Sequence, residues 1–372
     1  MATRSNIAHQ RLANQLIANP APARPEDVVH WMGVIQAQDY IGALWAVGLR
    51  TLDATQEDVE QAIAEGKFVR TWPARGTLHF VAAQDVRWML ALLAPRAIQG
   101  SAGRLRQLDI DQATIDRSRE RLTHVLQNGN RMMREALYQA LEAVKISTEG
   151  QRGIHILGRL AQEGLICFGP RDGKQQVFVL LEEWVPAASA LPGAGILRRD
   201  QAMAELAHRY FTSHGPATVR DFAWWSGLTA SDARASLEMA SPHLAQEEID
   251  GQTYWMPRFV AVTKEPLPTA HLLPAFEEYL LGYTERSAVL EPGYAMRMVA
   301  RNGMISPVIV IDGQVVGTWK RALKKETVVI TPDWFTPPDE AHQQAFGEAA
   351  GRYGAFLGLE VRLVCEPGRY TG

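Results

Sequence analysis

Three times along this chain, helix-forming segments are followed by two β-rich runs around turn residues, and that recurrence restricts the fold more than any other feature. In the first pass, residues 8–19 place Leu12, Leu16 and Ile17 on one helical face. A Pro-rich break at 20–25 follows, and Pro25 suits the first turn of a helix from Glu26 to about Gly33. Residues 41–49 read as a short helix, and Thr55 with Asp58 three residues on caps another that Gly66 ends. The runs 68–72 and 77–81 then flank Pro73-Ala74-Arg75-Gly76 as a hairpin. The order returns as helices at 112–128, 131–143 and 151–163 with β-runs 165–168 and 176–180 around residues 169–174. It returns again as helices at 200–213, 217–226 and 230–238, with a hairpin turning at Asp250-Gly251. Helices followed by a hairpin is the order of a winged helix-turn-helix. The three units share a pattern, not residue identities.

The last hundred residues change character. Val308–Ile311, the turn Asp312-Gly313 and the run 314–319 form a strong hairpin signal. Residues 328–330 and 359–364 add strands, with a helix from about Asp339 to Phe356 between them, and Pro266 and Pro268 mark the linker. The expected architecture is α+β: three tandem winged helix-turn-helix units over 1–108, 109–195 and 196–264, then an antiparallel β-barrel-like domain over 265–372. A chain of 372 residues is too long for one small core.

Hydrophobic residues make up 47% and charged residues 21%, the balance of an ordinary globular chain. The net charge is −3, so a nucleic-acid face must come from local clustering. Cys167 and Cys365 lie far apart in apolar surroundings, which implies no disulfide framework, and neither has the spacing of a zinc site. Residues 1–10 carry no apolar core of a signal peptide, and no apolar run reaches the length of a membrane span. No phosphate-cradling glycine loop is present. The expected setting is cytoplasmic, without membrane, metal or cofactor.

The sharpest chemical signal is Gln36-Ala37-Gln38. On extended backbone, residues i and i+2 point the same way, so two amides stand side by side. An amide is neutral at ordinary pH and can hold a water or a base edge, though it is no strong base. The alternative is a polar loop satisfying its own backbone. Downstream, Arg70 and Arg75 flank the turn at Pro73-Ala74, where a wing would meet phosphates or the minor groove, with a solvated tip as the competing account. Thr77 joins the candidate DNA-binding set, as does His79, which either approaches DNA and the glutamines or serves as a hydrogen-bonded structural group. Trp72 reads as core rather than wedge.

From Arg96 to Arg134 there are eight arginines and no lysine against four acids, a net of +4 in an acidic chain. Arg117, Arg119 and Arg121 cannot share one helical face, so part of this run is ordinary surface. Arg104 and Arg106, beside Gly100 and Gly103 in an expected loop, are the best phosphate candidates, with His155 and Arg159 behind them. Lys320, Arg321, Lys324 and Lys325 read as a solvated face. Trp224-Trp225 read as core. Glu277 and Glu278 are adjacent, so they diverge by about 100° on a helix and do not form a carboxylate pair.

The segments VIQAQDY, RTWPARGTLHFV, GPATVRDFAWWSGL, LLPAFEEYLLGYTERSAVL and VIVIDGQVVGTWKR, in this order over nearly the whole chain, resemble the AlkZ-like and YcaQ-like crosslink-repair DNA glycosylases. The resemblance implies tandem winged helices plus a C-terminal barrel, wrapped into a C-shaped channel for duplex DNA. It also implies that Gln36 and Gln38 are the catalytic pair. The family motif is glutamine, an aliphatic residue, then glutamine or aspartate; this chain sides with the first branch, and Ala37 is smaller than the usual middle residue. The expected function is a monofunctional glycosylase acting as a monomer on double-stranded DNA, removing alkylated, cationic nucleobases or interstrand crosslinks. No catalytic lysine stands out, so water attack is favoured over a Schiff base. The rival is a winged-helix DNA-binding protein without catalysis, such as a regulator.

Overall fold

The computed structural model describes residues 4–186, 197–259, 268–299 and 305–364. Helix α1 (Arg4–Asn14) stops before the apolar stripe does, because Leu16 takes φ +60° and turns the chain so that Leu12 and Ile17 are buried without it. The helix packs far along the chain: Arg11 Nε donates to the Pro216 carbonyl at 3.0 Å, and Asn14 Nδ2 to that of Gly215 at 2.7 Å.

The first repeat comprises α2 (Pro25–Met32), β1 (Val34–Gln36), α3 (Tyr40–Gly48), α4 (Gln56–Ala64), β2 (Phe68–Thr71) and β3 (His79–Ala82). Local chemistry sets several of its limits. Pro25 opens α2, Gly33 ends it at φ +78°, and Thr55 with Asp58 forms a reciprocal capping box on α4. Helix α5 (Val86–Gln107) leads to the second repeat: α6 (Gln112–Leu126), β4 (Met132–Met133), α7 (Arg134–Glu142), α8 (Arg152–Gln162), β5 (Ile166–Asp172) and β6 (Gln175–Leu180), then the short α9 (Leu181–Trp184). The third has α10 (Arg199–His214), α11 (Val219–Ser226), α12 (Ala230–Ala240), β7 (Leu244–Ile249) and β8 (Gln252–Pro257).

The connectivity is the same each time. A short strand after the first helix pairs with the second strand of the hairpin: β1 with β3, β4 with β6, and Ala217 with Trp255 of β8. The first two repeats fuse into one six-stranded sheet, ordered β1-β3-β2-β5-β6-β4, through the pairing of Arg70 with Phe168.

The C-terminal part holds β9 (Ala270–Leu273), α13 (Glu278–Leu281), β10 (Val308–Ile311), β11 (Gln314–Leu323), β12 (Thr327–Trp334), α14 (Glu340–Leu357) and β13 (Glu360–Leu363). Asp312 and Gly313 both take positive φ, as a two-residue hairpin loop requires. The sheet runs β13-β12-β11-β10-β9, open at both edges, so it is half a barrel. It is not wholly antiparallel as expected: β13 lies parallel to β12, because α14 carries the chain back before β13 pairs. Pro266 and Cys365 lie outside the described residues.

Hydrophobic cores cross between these parts. Val28, Leu44 and Trp45 of the first repeat share a core with Ile309, Trp319 and Tyr353 of the C-terminal part. A Cβ at Gly48 would overlap the Phe356 ring, so α3 and α14 approach this closely only with glycine there. A second core joins Met89 and Leu93 of α5 to Tyr210, Phe222 and Trp225 of the third repeat. Among the described residues no helix is long and apolar enough to cross a membrane.

Candidate active site and nucleic-acid interface

The glutamine segment lies on the edge strand of the six-stranded sheet. Gln36 sits opposite His79, and the pairing runs one step past the strand, with Ala37 N–H donating to the Leu78 carbonyl at 2.7 Å. Ala37 is fully buried in the core shared with the C-terminal sheet, while Gln36 is half-buried and Gln38 exposed. That is the alternation of extended backbone, with the apolar residue inward and its polar neighbours outward. Leu78 N–H lies 3.5 Å from Gln38 Oε1. Asp39 turns elsewhere, to Arg321 Nη2 of β11 at 3.4 Å.

Arg70 is not at a wing surface. It is 7% exposed in the middle of the sheet, because β5 of the second repeat docks against β2 and covers it. Its Nε donates to the Ala37 carbonyl at 2.9 Å, its Nη2 reaches the Gln38 carbonyl at 3.5 Å, and its guanidinium lies over the Phe168 and Tyr40 rings. Burial lowers its pKa to about 10, which leaves it charged at neutral pH. Arg70 therefore holds the backbone of the glutamine segment. Trp72 is core, against Phe168 at 5.3 Å between ring centroids.

Arg75 does sit in the turn, at φ +53° before Gly76 at +72°, but the third repeat half-buries it, and its Nη1 reaches the Trp224 carbonyl at 3.4 Å. Thr77 braces the same turn through Oγ1 and the Ala74 carbonyl. His79 is fully buried; its Nδ1–H donates to the Thr77 carbonyl at 2.9 Å, and Nε2 has no hydrogen-bond partner among the described residues. Burial, reinforced by Arg75, pulls its pKa down to about 4, so it is neutral at pH 7.

Sequence reasoning missed the group that meets the glutamine segment from the other side. Glu278 is fully buried: its Oε1 accepts the Gln36 backbone N–H at 3.1 Å and its Oε2 accepts Trp225 Nε1–H at 3.0 Å. His214 Nε2 stands 3.6 Å from Oε2. Glu277 diverges as two adjacent residues must, and pairs with Arg50 at 2.5 Å in a separate buried cluster. The one available signal was two consecutive acids inside an otherwise apolar stretch, Leu272 to Leu281. Trp225 is core as expected; Trp224 is not, being 50% exposed with its Nε1 on the Leu281 carbonyl.

Beside this centre a groove of 590 Å³ opens between α5, α8 and α11, lined by Arg75, Arg96, His155, Arg159 and Trp224 among others. Gly100 and Gly158 face open space there. The structure thus brings Arg75, His155 and Arg159 together. Arg104 and Arg106 stand apart from the lining: they lie in the last turn of α5, not in a loop, since the helix continues through Gly100 and Gly103. Both are exposed, and Arg104 Nη2 donates to Gln151 Oε1 at 2.7 Å. Arg159 pairs with Glu163 at 2.6 Å, and Arg119 pairs with the other oxygen of the same carboxylate, while Arg117 and Arg121 donate to the carbonyls of Val144 and Ala140. Much of the arginine run thus stitches the second repeat together. Lys320, Lys324 and Lys325 are solvated.

Among known proteins, a family model described as DNA glycosylase AlkZ-like matches residues 29–356. A relative named "Interstrand DNA cross-link repair glycosylase", from Streptomyces sahachiroi, is 27% identical over 368 residues, covering 95% of this chain and 97% of its own. The solved structure of the Streptomyces sahachiroi DNA glycosylase AlkZ superposes with a TM-score of 0.80 at 25% identity, covering 98% of this chain and 100% of that one.

Proposed function

This chain belongs to the AlkZ-like DNA glycosylase family, and from that premise we propose that it hydrolyses the N-glycosidic bond of purines alkylated at N7 or N3, including those in interstrand crosslinks. The observation that carries the reading is the held glutamine segment: Arg70 on its carbonyls, Glu278 on its backbone N–H, Ala37 anchored in the core and two amides outward.

An alkylated purine of this kind is already cationic, so it departs as a neutral base and needs little protonation by a general acid. The bond from C1′ to the base nitrogen breaks and its electron pair neutralises the base. A water oxygen bonds to C1′, and the water's surplus proton passes to solvent, leaving an abasic site. The task left to the protein is to aim that water and favour an oxocarbenium-like sugar. The amide oxygens of Gln36 and Gln38 supply acceptors for the water and partial negative charge for the sugar. A neutral pair suits this modest demand and does not suit removal of undamaged bases.

We read the three repeats as winged helices, in support of which stands the recurring order of helix, strand, two helices and hairpin with its constant strand pairing. The boundary near 108 follows that reading; those near 195 and 264 lie outside the described residues. Duplex DNA is proposed to lie along the groove lined by Arg75, Arg96, His155, Arg159 and Trp224, with Arg104 and Arg106 at its approach and a single chain sufficing. The test is release of free base from duplex DNA carrying N7-methylguanine. The parent protein should release it, and the Gln36→Ala, Gln38→Ala double variant should be slower by about 100-fold or more. Release that persists in the double variant would sink the mechanism. Salt-sensitive binding with no release from any alkylated or crosslinked duplex would favour the DNA-binding regulator.

A further inference from the structure

Two adjacent buried carboxylates on the same short segment have opposite fates. Glu277 is neutralised by a guanidinium at 2.5 Å. Glu278 is equally buried, yet among the described residues no lysine or arginine lies within ion-pair distance of it; its neighbours are two N–H donors and His214. Taking an ionised carboxylate out of water without a cation is expensive, and proteins ordinarily avoid it by pairing the group or letting it take up a proton. Here each oxygen accepts an N–H, the pattern of the acceptor-only ionised form. Burial pushes Glu278 upward, and its interaction with His214 and the nearby Arg75 charge act against that, leaving its pKa below the usual carboxylate value.

The backbone before it is also forced. Phe276 takes φ +60°, in the left-handed region that a bulky side chain rarely adopts. Such outliers persist where the surrounding structure over-determines them, and they cluster at functional sites. The consequence here is that Glu278 reaches the free edge of β1, where it accepts the N–H of the first catalytic glutamine candidate.

We propose that Glu278 is the positioning residue of the glutamine pair: its buried carboxylate fixes Gln36 through the backbone N–H and supplies a negative charge, with no lysine or arginine paired to it, that favours a cationic sugar. The inference rests on the glycosylase reading and deepens it. A reaction whose positive charge moves from base to sugar gains from a fixed anion already stripped of water, because such a charge needs no reorganisation as the cation forms. Trp225 is the brace that orients the carboxylate from its other oxygen.

The experiment compares Glu278→Gln with the parent on N7-methylguanine duplex, under single turnover with saturating protein, beside DNA affinity and melting temperature. The substitution keeps the shape and removes the charge. The expected result is a release rate lower by about 30-fold with Kd for DNA within twofold, a split that a purely structural role would not produce. Glu277→Gln, in the separate buried cluster with Arg50, should lower the melting temperature while leaving the rate of folded protein unchanged. A Glu278→Gln rate within threefold of the parent overturns the inference, as does a parallel loss of rate and binding. If Glu278→Gln does not fold, Trp225→Phe decides: about a threefold slower release at unchanged Kd supports the role, and a parental rate or weakened binding overturns it. No release by the parent overturns the functional reading and this inference with it; release by the parent with undiminished release by the variant overturns the inference alone.

Discussion

The hairpins of the first and second repeats share a topology and lie in one sheet, yet they are used differently. In the second, the turn at Asp172 to Lys174 stands in solvent. In the first, the connection from Trp72 to Leu78 is folded into the body, with Trp72, Pro73, Ala74 and Leu78 buried and only Gly76 fully exposed at the turn. The difference comes from what packs on each. Helix α11 and the residue after it close over the turn of the first hairpin at Arg75, while among the described residues no other element covers the tip of the second. A shared connectivity therefore does not set a shared role; the neighbour that closes over a hairpin does.

Four changes test that contrast. The largest effect belongs to Arg70→Met, which leaves the carbonyls of Ala37 and Gln38 without their buried donor. We expect a loss of about 2–4 kcal/mol by urea unfolding, and base release slower by about tenfold in the folded protein at nearly unchanged Kd. If release stays parental, the buried hairpin does not hold the glutamines. Next is Trp224→Ala, which strips the exposed ring from the groove beside the covered hairpin. DNA affinity should weaken about tenfold in a binding titration, as for loss of one stacking platform; no change would remove Trp224 from the interface.

The third change concerns pH. His79 titrates near 6.5 unfolded and about 4 folded, so the unfolded state binds more protons between those values. Its contribution to stability is present above about pH 6.5 and is lost as pH falls toward 4, at up to about 1.4 kcal/mol per pH unit. His271, held down to about 3 by burial, acts in the same direction. His79→Gln should make the urea midpoint less steeply pH-dependent across that window, and an unaltered slope would mean the histidine is not buried neutral. The smallest effect is expected of Lys174→Ala, at the solvated tip of the second hairpin. DNA affinity should weaken by threefold or less, with release unaffected; a loss as large as that from Trp224→Ala would erase the distinction between the two hairpins.

What the sequence determined by itself is what short-range chemistry decides. The capping box at Thr55 and Asp58, the helix stop at Gly33, the Asp312-Gly313 turn and the threefold order of helices and hairpins all follow from residues within a few positions of one another. Gln36-Ala37-Gln38 was equally legible, since alternation on extended backbone needs no partner. Tertiary structure alone decided the rest. Arg70 reads as a wing residue until β5 is laid beside β2, and Arg104 as a loop residue until α5 is seen to run through two glycines. The parallel seating of β13 depends on where α14 returns the chain. Glu278 meets Gln36 across 242 positions of sequence. Burial and charge compensation are properties of what surrounds a group, so no local pattern could show that one of two neighbouring glutamates has its cation and the other does not.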